Sequence, residues 1–85
     1  YRGKGIITHA VRYLCQWAVC KRNINRIQIR CAVENHPSNA IPKRLGFTLE
    51  GTERDGELLV SGEYVDTNVY SILKKEVESW NRKSN

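Results

Sequence analysis

The sequence contains no apolar run that approaches the roughly 20 residues needed to span a bilayer. No charged segment followed by an apolar stretch leads the chain, so a cytoplasmic location is the expectation. Repeats and low-complexity segments are also missing. Of the residues, 40% are apolar and 27% are charged, which is typical of a folded domain. At 85 residues the chain has room for one lean domain.

Residues suited to a metal site or a disulfide are few. The three cysteines, Cys15, Cys20 and Cys31, form no C-x-x-C pair. Two fall in a helical stretch and one in a strand-like stretch, which indicates buried reduced thiols. His9 and His36 lie far apart with no second ligand at a metal spacing. No metal site is therefore predicted.

The formal net charge is +5, but the basic residues do not form a nucleic-acid platform. They are spread over the whole chain and do not interleave with aromatic residues. A basic module that binds RNA or the ribosome is therefore an alternative, and no direct nucleic-acid role is expected. That alternative requires five cations to share one surface: Arg22, Arg26, Arg30, Lys43 and Arg44.

The first half of the chain predicts a helix, a strand and a second helix. Apolar residues at helical spacing predict a helix over about 6–22. Its apolar face would consist of Ile7, Ala10, Val11, Leu14, Trp17 and Ala18. The alternation in "RIQIRCAV" predicts a strand with one face buried. A short helix over about 38–45 follows, with Asn35 or Ser38 as its N-cap and Gly46 as its end. Pro42 inside it predicts a kinked or tight turn.

The second half predicts strands and a short terminal helix. Residues 48–73 indicate two strands, with a turn or bulge at "RDG" and a hairpin tip at "SG". Val77 and Trp80 are spaced for a last short helix. The predicted fold class is therefore α/β, in the order helix, strand, helix, strand, strand and a short C-terminal helix.

The opening residues Arg2-Gly3-Lys4-Gly5 suggest an anion site. A glycine turn at a helix start presents unpaired backbone N–H groups, and the helix dipole adds partial positive charge. A phosphate fits there, because glycine lets the backbone approach without a Cβ in the way. The segment lacks the Walker pattern, and Thr8 stands at the third glycine position of the dinucleotide fingerprint. An ordinary tight turn is therefore the alternative interpretation of these residues.

Several ordered motifs resemble the C-terminal half of the GNAT superfamily of N-acetyltransferases. "YRGKGI" precedes a long helix and a strand, and "NHPSNAIPKRLGF" and a predicted hairpin follow. The stretches "SNAIPKRLGFTLEG" and "GEYVDTNVYSIL" look like the branch that acetylates the amino termini of ribosomal proteins. The resemblance implies the acyl-CoA N-acyltransferase fold. It also implies that residues 1–85 are the C-terminal part of one such domain, whose N-terminal strands and helices are absent.

The resemblance implies acetyl-CoA as co-substrate and assigns residues to it. Backbone amides from Arg2 through Ile6, which include Gly3, Lys4 and Gly5, would wrap the pyrophosphate of the cofactor. Asn35 would donate a hydrogen bond to the cofactor, a role that is compatible with an N-cap. Lys43 or Arg44 would approach the adenosine phosphates, although a solvated helix charge is the simpler interpretation of each.

Two catalytic residues also follow from the resemblance. The reaction would be direct attack of a neutral amine on the thioester, which needs a base, an oxyanion donor and an acid. Many relatives have a tyrosine acid where this chain has Pro42. In the ribosomal-protein branch Ser38 would be the acid and Glu57 the base. The plainer interpretations are an N-cap hydroxyl for Ser38 and an exposed carboxylate for Glu57. Structural roles are the expectation for Asp66 and Tyr70.

The acceptor implied by the resemblance is a primary amine. An α-amino group has a pKa of about 8, against roughly 10.4 for lysine, so more of it is neutral near pH 7. This favours a protein N-terminus over lysine, while a polyamine or another small amine remains an alternative. A homodimer is left open and no membrane partner is expected. Taken alone, the chain is expected to bind CoA poorly and to be inactive.

Overall fold

The computed structural model describes the backbone of residues 2–83 and the side chains of residues 5–80. Three helices and three strands follow one another in the predicted order. They are α1 (Arg2–Arg22), β1 (Arg26–Ala32), α2 (His36–Arg44), β2 (Thr48–Leu58), β3 (Tyr64–Leu73) and α3 (Lys74–Lys83). The strands form one sheet in the order β1-β3-β2. No helix in the described part of the chain has the length and apolar character needed to cross a membrane.

The chain divides into two compact units. The terminal unit consists of Tyr1–Ile27 and Ile72–Asn85, and the central unit consists of Gln28–Ser71. In the terminal unit α1 contacts α3. The Arg12 guanidinium lies 4.9 Å from the centre of the Trp80 ring, and the Lys74 N–H donates to the carbonyl of Asn25.

Helix α1 begins at Arg2, so the prediction of a helix start near Ile6 is wrong. The segment Arg2-Gly3-Lys4-Gly5 belongs to the helix instead of forming a separate turn. Each glycine in a helix costs about 1 kcal/mol relative to alanine. A long helix can extend through them, because every further residue adds a backbone hydrogen bond to a helix that is already nucleated.

The buried face of α1 also differs from the predicted one. Cys15 and Val19 are buried, whereas Ile7, Leu14 and Trp17 are exposed, as is Ala10. The buried face is displaced from the predicted apolar face, the apolar stripe, by roughly a third of a helical turn. Periodicity locates an apolar stripe but cannot say which neighbour covers it. Within the terminal unit α3 is the helix packed against α1, and much of the stripe stays exposed.

Strand β1 and helix α2 follow their local signals closely. The side chains of Ile27, Ile29 and Cys31 are at least half-buried, while the residues between them are exposed. Helix α2 begins at His36, two residues before the predicted start, because Asn35 and not Ser38 is its N-cap.

The end of α2 is a Schellman motif. Gly46 adopts a φ of 83°, and its N–H donates to the carbonyl of Lys43. The N–H of Phe47 donates to the carbonyl of Pro42 over 2.9 Å, and both of these side chains are buried. This pattern satisfies the last carbonyls of the helix and confirms that Gly46 ends α2. Pro42 lies within the helix.

Strands β2 and β3 form an antiparallel hairpin with the predicted tip. Gly62 adopts a φ of 95°, and its N–H donates to the carbonyl of Leu59. The register of the hairpin shifts between Glu53 and Glu57. The "RDG" segment is therefore a bulge within β2, and Asp55 adopts a φ of 51° there. Bulges of this kind redirect the side chains that follow them.

The three cysteines are free, and burial separates them into two classes. Cys15 and Cys31 are buried, as predicted, but Cys20 is exposed and that part of the prediction is wrong. Cys20 lies one residue beyond the buried Val19, on the side of α1 that faces solvent. Burial raises the pKa of the Cys15 and Cys31 thiols above the ordinary value, because it disfavours the charged thiolate.

Alkylation should therefore modify Cys20 first. The thiolate is the reactive form, so a buried thiol of raised pKa reacts more slowly at any pH below that pKa. With iodoacetamide at pH 8, we expect mass spectrometry of peptides to show Cys20 labelled well before Cys15 or Cys31. Raising the pH to 9.5 should reduce the difference in labelling rate between Cys20 and the two buried cysteines only in part, because burial also blocks access of the reagent. Equal labelling of all three cysteines in the native protein would contradict this assignment.

Candidate functional site

The amino end of α1 has the character of an anion site. The first turn of this helix carries no acidic residue. Its backbone N–H groups have no partner within the helix, and the helix dipole adds positive potential to them. Arg2 and Lys4 in the same turn are cationic. The local sequence therefore does nothing to neutralise the positive end of α1.

Gly5 has no role in the fold that requires glycine. Its φ lies outside the left-handed region, and a Cβ added there would meet no described side chain or neighbouring element within 4 Å. An alanine would therefore fit and would favour the helix. A glycine at such a position is useful where a ligand approaches the backbone closely.

The prediction that all backbone amides from Arg2 through Ile6 bind the anion needs correction. Ile6 lies in the second turn of α1, so its N–H belongs to the hydrogen-bond ladder of the helix and is not free for a ligand. The free amides are those of Arg2, Gly3 and Lys4, because the N–H of Gly5, the fourth residue of the helix, is the first to join the hydrogen-bond ladder. The side chains of Arg2 and Lys4, which the prediction also uses, lie outside the described residues, as does the side-chain position at Gly3.

The amino end of α2 holds two of the predicted site residues. The side-chain oxygen of Asn35 accepts a hydrogen bond from the N–H of Ser38 over 3.2 Å. Asn35 is exposed, and its amide nitrogen has no partner among the residues that the structure describes. The hydroxyl of Ser38 is half-buried and likewise makes no hydrogen bond within the described chain. A donor and a hydroxyl are thus available at this helix end.

The other two predicted residues lie elsewhere in the central unit. Lys43 is exposed in the last turn of α2, at the end opposite Asn35, where a cation complements the helix dipole. Glu57 is exposed in β2, directly after the bulge, and is paired in register with Val65 of β3. No hydrogen bond joins Glu57 to Ser38 in the described residues.

Asp66 and Tyr70 make structural hydrogen bonds, as expected. Asp66 accepts from the N–H of Asp55 over 2.9 Å and so supports the bulge. The hydroxyl of Tyr70, which is 1% exposed, donates to the side-chain oxygen of Asn39 over 2.8 Å.

Sequence reasoning missed Asn39. This residue lies inside α2, is 5% exposed and makes four side-chain hydrogen bonds. Asparagine is a poor helix former, and its amide must find partners when buried. An asparagine within a predicted helix, three residues before a proline, was the available signal.

Comparison with known proteins identifies the family. The Acetyltransferase (GNAT) domain family matches residues 1–48. YdaF of Bacillus subtilis (strain 168), provisionally named a ribosomal N-acetyltransferase, is 47% identical over 78 residues. The ribosomal-protein-serine acetyltransferase of Escherichia coli (strain K12) is 35% identical over 73 residues. The matches cover 92% and 86% of this chain, but only 42% and 40% of the two relatives.

Solved structures of acetyltransferases share the fold. The crystal structure of RimL, a ribosomal L7/L12 alpha-N-protein acetyltransferase in complex with coenzyme A, matches with a TM-score of 0.77 at 36% identity. The match covers 86% of this chain and 41% of RimL. The microcin C7 self-immunity acetyltransferase MccE, in complex with acetyl-CoA and AMP, matches with a TM-score of 0.77 at 41% identity. The match covers 86% of this chain and 40% of MccE. This chain therefore belongs to the GNAT family of acetyltransferases.

Proposed function

We propose that this chain is the C-terminal part of one GNAT domain, and that the full-length protein transfers an acetyl group from acetyl-CoA to a primary amine. The acceptor that we propose is the N-terminal amine of a ribosomal protein. The names of the E. coli relative and of RimL support this acceptor. The exposed apolar stripe on α1 supports the proposal of a larger domain, because such a stripe is a surface suited to further packing.

The observation that carries the proposal is the amino end of α1. A first turn with two cations, no acidic residue and a glycine that the fold does not require suits the pyrophosphate of acetyl-CoA. The amides of this turn would hold the phosphate oxygens, and Arg2 and Lys4 would add charge.

The family resemblance implies roles for four further residues. The amide nitrogen of Asn35 would donate a hydrogen bond to the cofactor, while its oxygen continues to cap α2. The side chain of Lys43 would lie near the adenosine phosphates of the cofactor. Acetyl-CoA supplies an activated thioester, which a neutral amine can attack directly. Glu57 would take the proton of the amine, and the free hydroxyl of Ser38 would donate a proton to the departing sulfur.

The alternative of a basic RNA-binding module gains no support from the arginines that it requires. Arg30 forms an ion pair with Glu53 of the neighbouring hairpin. The Arg22 guanidinium lies 5.7 Å from the centre of the Trp17 ring. Two of the five cations are therefore already engaged within their own units.

Binding of acetyl-CoA is the first test of the proposal. We expect acetyl-CoA at 100 times its dissociation constant to stabilise the full-length protein by about 2.7 kcal/mol, which raises the melting temperature by roughly 5–10 °C. The measurement is a thermal-shift titration with acetyl-CoA. No shift at millimolar acetyl-CoA would contradict the proposal.

A Gly5→Ala variant tests the location of the cofactor. The added methyl group meets no described side chain within 4 Å and favours the helix, so the unliganded variant should melt at the same temperature or slightly higher. The increase in melting temperature that acetyl-CoA produces should be smaller, because the methyl group occupies the space that the phosphate approaches. Gly51→Ala is the matched control, since its methyl group is equally unobstructed and lies in β2.

A further inference from the structure

The side-chain amide of Asn39 is a buried junction between three elements of the central unit. Its nitrogen donates to the carbonyl of Ala32 at the end of β1 over 2.9 Å. The same nitrogen donates to the carbonyl of Asn35, the N-cap of α2, over 2.7 Å. Its oxygen accepts from the amide of Asn68 over 2.9 Å and from the hydroxyl of Tyr70 over 2.8 Å. All four hydrogen-bonding positions of the amide are occupied.

The chemistry of the partners fixes the orientation of this amide. Backbone carbonyls can only accept, so the nitrogen of Asn39 must face Ala32 and Asn35. Asn68 and Tyr70 are two residues apart on β3, so their side chains lie on the same face of the strand. Both donate to Asn39 from that face.

The network continues to β2. Thr52 is paired in register with Asn68, and the Thr52 hydroxyl donates to the side-chain oxygen of Asn68 over 2.7 Å. This bond turns the nitrogen of Asn68 towards Asn39. A continuous series of side-chain hydrogen bonds therefore runs from the hairpin to the first turn of α2.

We propose that Asn39 is a positioning residue for the acetyl-CoA site, which holds the amino end of α2 at a fixed place against the end of β1. The inference rests on the proposed function, because Asn35 and Ser38 are the residues it positions. Asn39 is 5% exposed and does not itself reach the cofactor. It holds the backbone of Asn35 through two bonds, from its side-chain nitrogen and from its own N–H over 3.1 Å.

An Asn39→Asp substitution removes the two hydrogen bonds that the side-chain nitrogen donates to Ala32 and Asn35, and it opens no cavity. The aspartate has nearly the same shape, but an oxygen replaces the nitrogen that faces the two carbonyls. Repulsion between these oxygens should displace the first turn of α2 from the end of β1. We expect the dissociation constant for acetyl-CoA, measured by calorimetry on the full-length protein, to rise by about 10-fold or more. Hydrogen exchange at the Ser38 amide should become faster in the unliganded protein.

The control separates positioning from loss of stability. Val69 lies between Asn68 and Tyr70 on β3, is 9% exposed and projects to the opposite face of the strand. Val69→Ala should lower the melting temperature, yet leave the acetyl-CoA affinity and the exchange of the Ser38 amide unchanged. Asn39→Asp binding acetyl-CoA as tightly as the wild type would overturn the positioning role. Wild-type protein that binds no acetyl-CoA would overturn the proposed function instead, and this inference with it.

A second variant decides the question if Asn39→Asp does not fold. Tyr70→Phe keeps the buried ring and removes one of the two donors to the oxygen of Asn39. We expect it to fold and to weaken acetyl-CoA binding by about 3-fold, since one supporting hydrogen bond is lost. Unchanged affinity in folded Tyr70→Phe would overturn the proposal.

Discussion

A Glu57→Gln variant of the full-length protein should lose roughly 100-fold or more of its turnover number, with little change in its Michaelis constant for acetyl-CoA. Glutamine has the same size but cannot accept a proton from the amine, and general-base catalysis contributes at least this factor. The measurement is steady-state release of CoA with a peptide that carries a free N-terminal serine. A peptide with a blocked N-terminus and an internal lysine should be a poor acceptor of the wild-type enzyme.

Glu53 provides the matched control for Glu57. It lies on the same strand before the bulge, is exposed, and forms an ion pair with Arg30. An exposed pair of this kind contributes about 0–1 kcal/mol to stability, so Glu53→Gln should keep most of its activity. Full turnover in Glu57→Gln would remove Glu57 as the base. Equal losses in both variants would indicate damage to the strand and not to the chemistry.

Gly56→Ala should be among the most destabilising single-methyl changes in β2. A Cβ at residue 56 would overlap the hydroxyl oxygen of Thr67 and would lie 3.2 Å from the Thr67 Cβ and 3.3 Å from the Glu53 Cβ. Thr67 is 3% exposed on β3 and β-branched, so it cannot rotate away freely. We expect a loss of about 1–3 kcal/mol, seen as a lower melting temperature.

Two further variants make the Gly56 test specific. Gly51→Ala adds the same methyl group to the same strand in open space, so its effect should stay within about 0.5 kcal/mol. Thr67→Ala removes the overlapped hydroxyl, which is buried without a hydrogen-bond partner among the described residues. Combined with Gly56→Ala, it should recover part of the lost stability, and this non-additivity identifies the overlap. Gly56→Ala as stable as Gly51→Ala would contradict the close approach.

The fold was most predictable where the signal is local. The alternation in β1, the stop at Gly46 and the residues of β3 depend on neighbours a few positions away, and each appears at its predicted place. The start of α1 was missed because glycine permits both a turn and a helix. The buried face of α1 was missed because burial depends on which elements pack against the helix, and α3, which contacts α1, lies far along the chain.

The candidate site also has one part that residue type and spacing predict and another that only the tertiary structure reveals. Residue type and spacing offered Asn35 or Ser38 as the N-cap and placed Arg2 and Lys4 at the anion site, and the structure shows that Asn35 is the cap. The junction at Asn39 joins α2 to Asn68 and Tyr70, about 30 positions later, and no local pattern indicates such a contact.

By itself, then, the sequence determined the order of the elements, the end of α2 at Gly46 and the family to which the chain belongs, since these are encoded in short ordered motifs. Only the tertiary structure decided which side of α1 is buried, where β2 bulges against Thr67, and that Asn39 holds the amino end of α2. The physical reason is that hydrogen bonds and packing between distant residues depend on how the elements are arranged in space, whereas caps and periodicity act within a few residues of the chain.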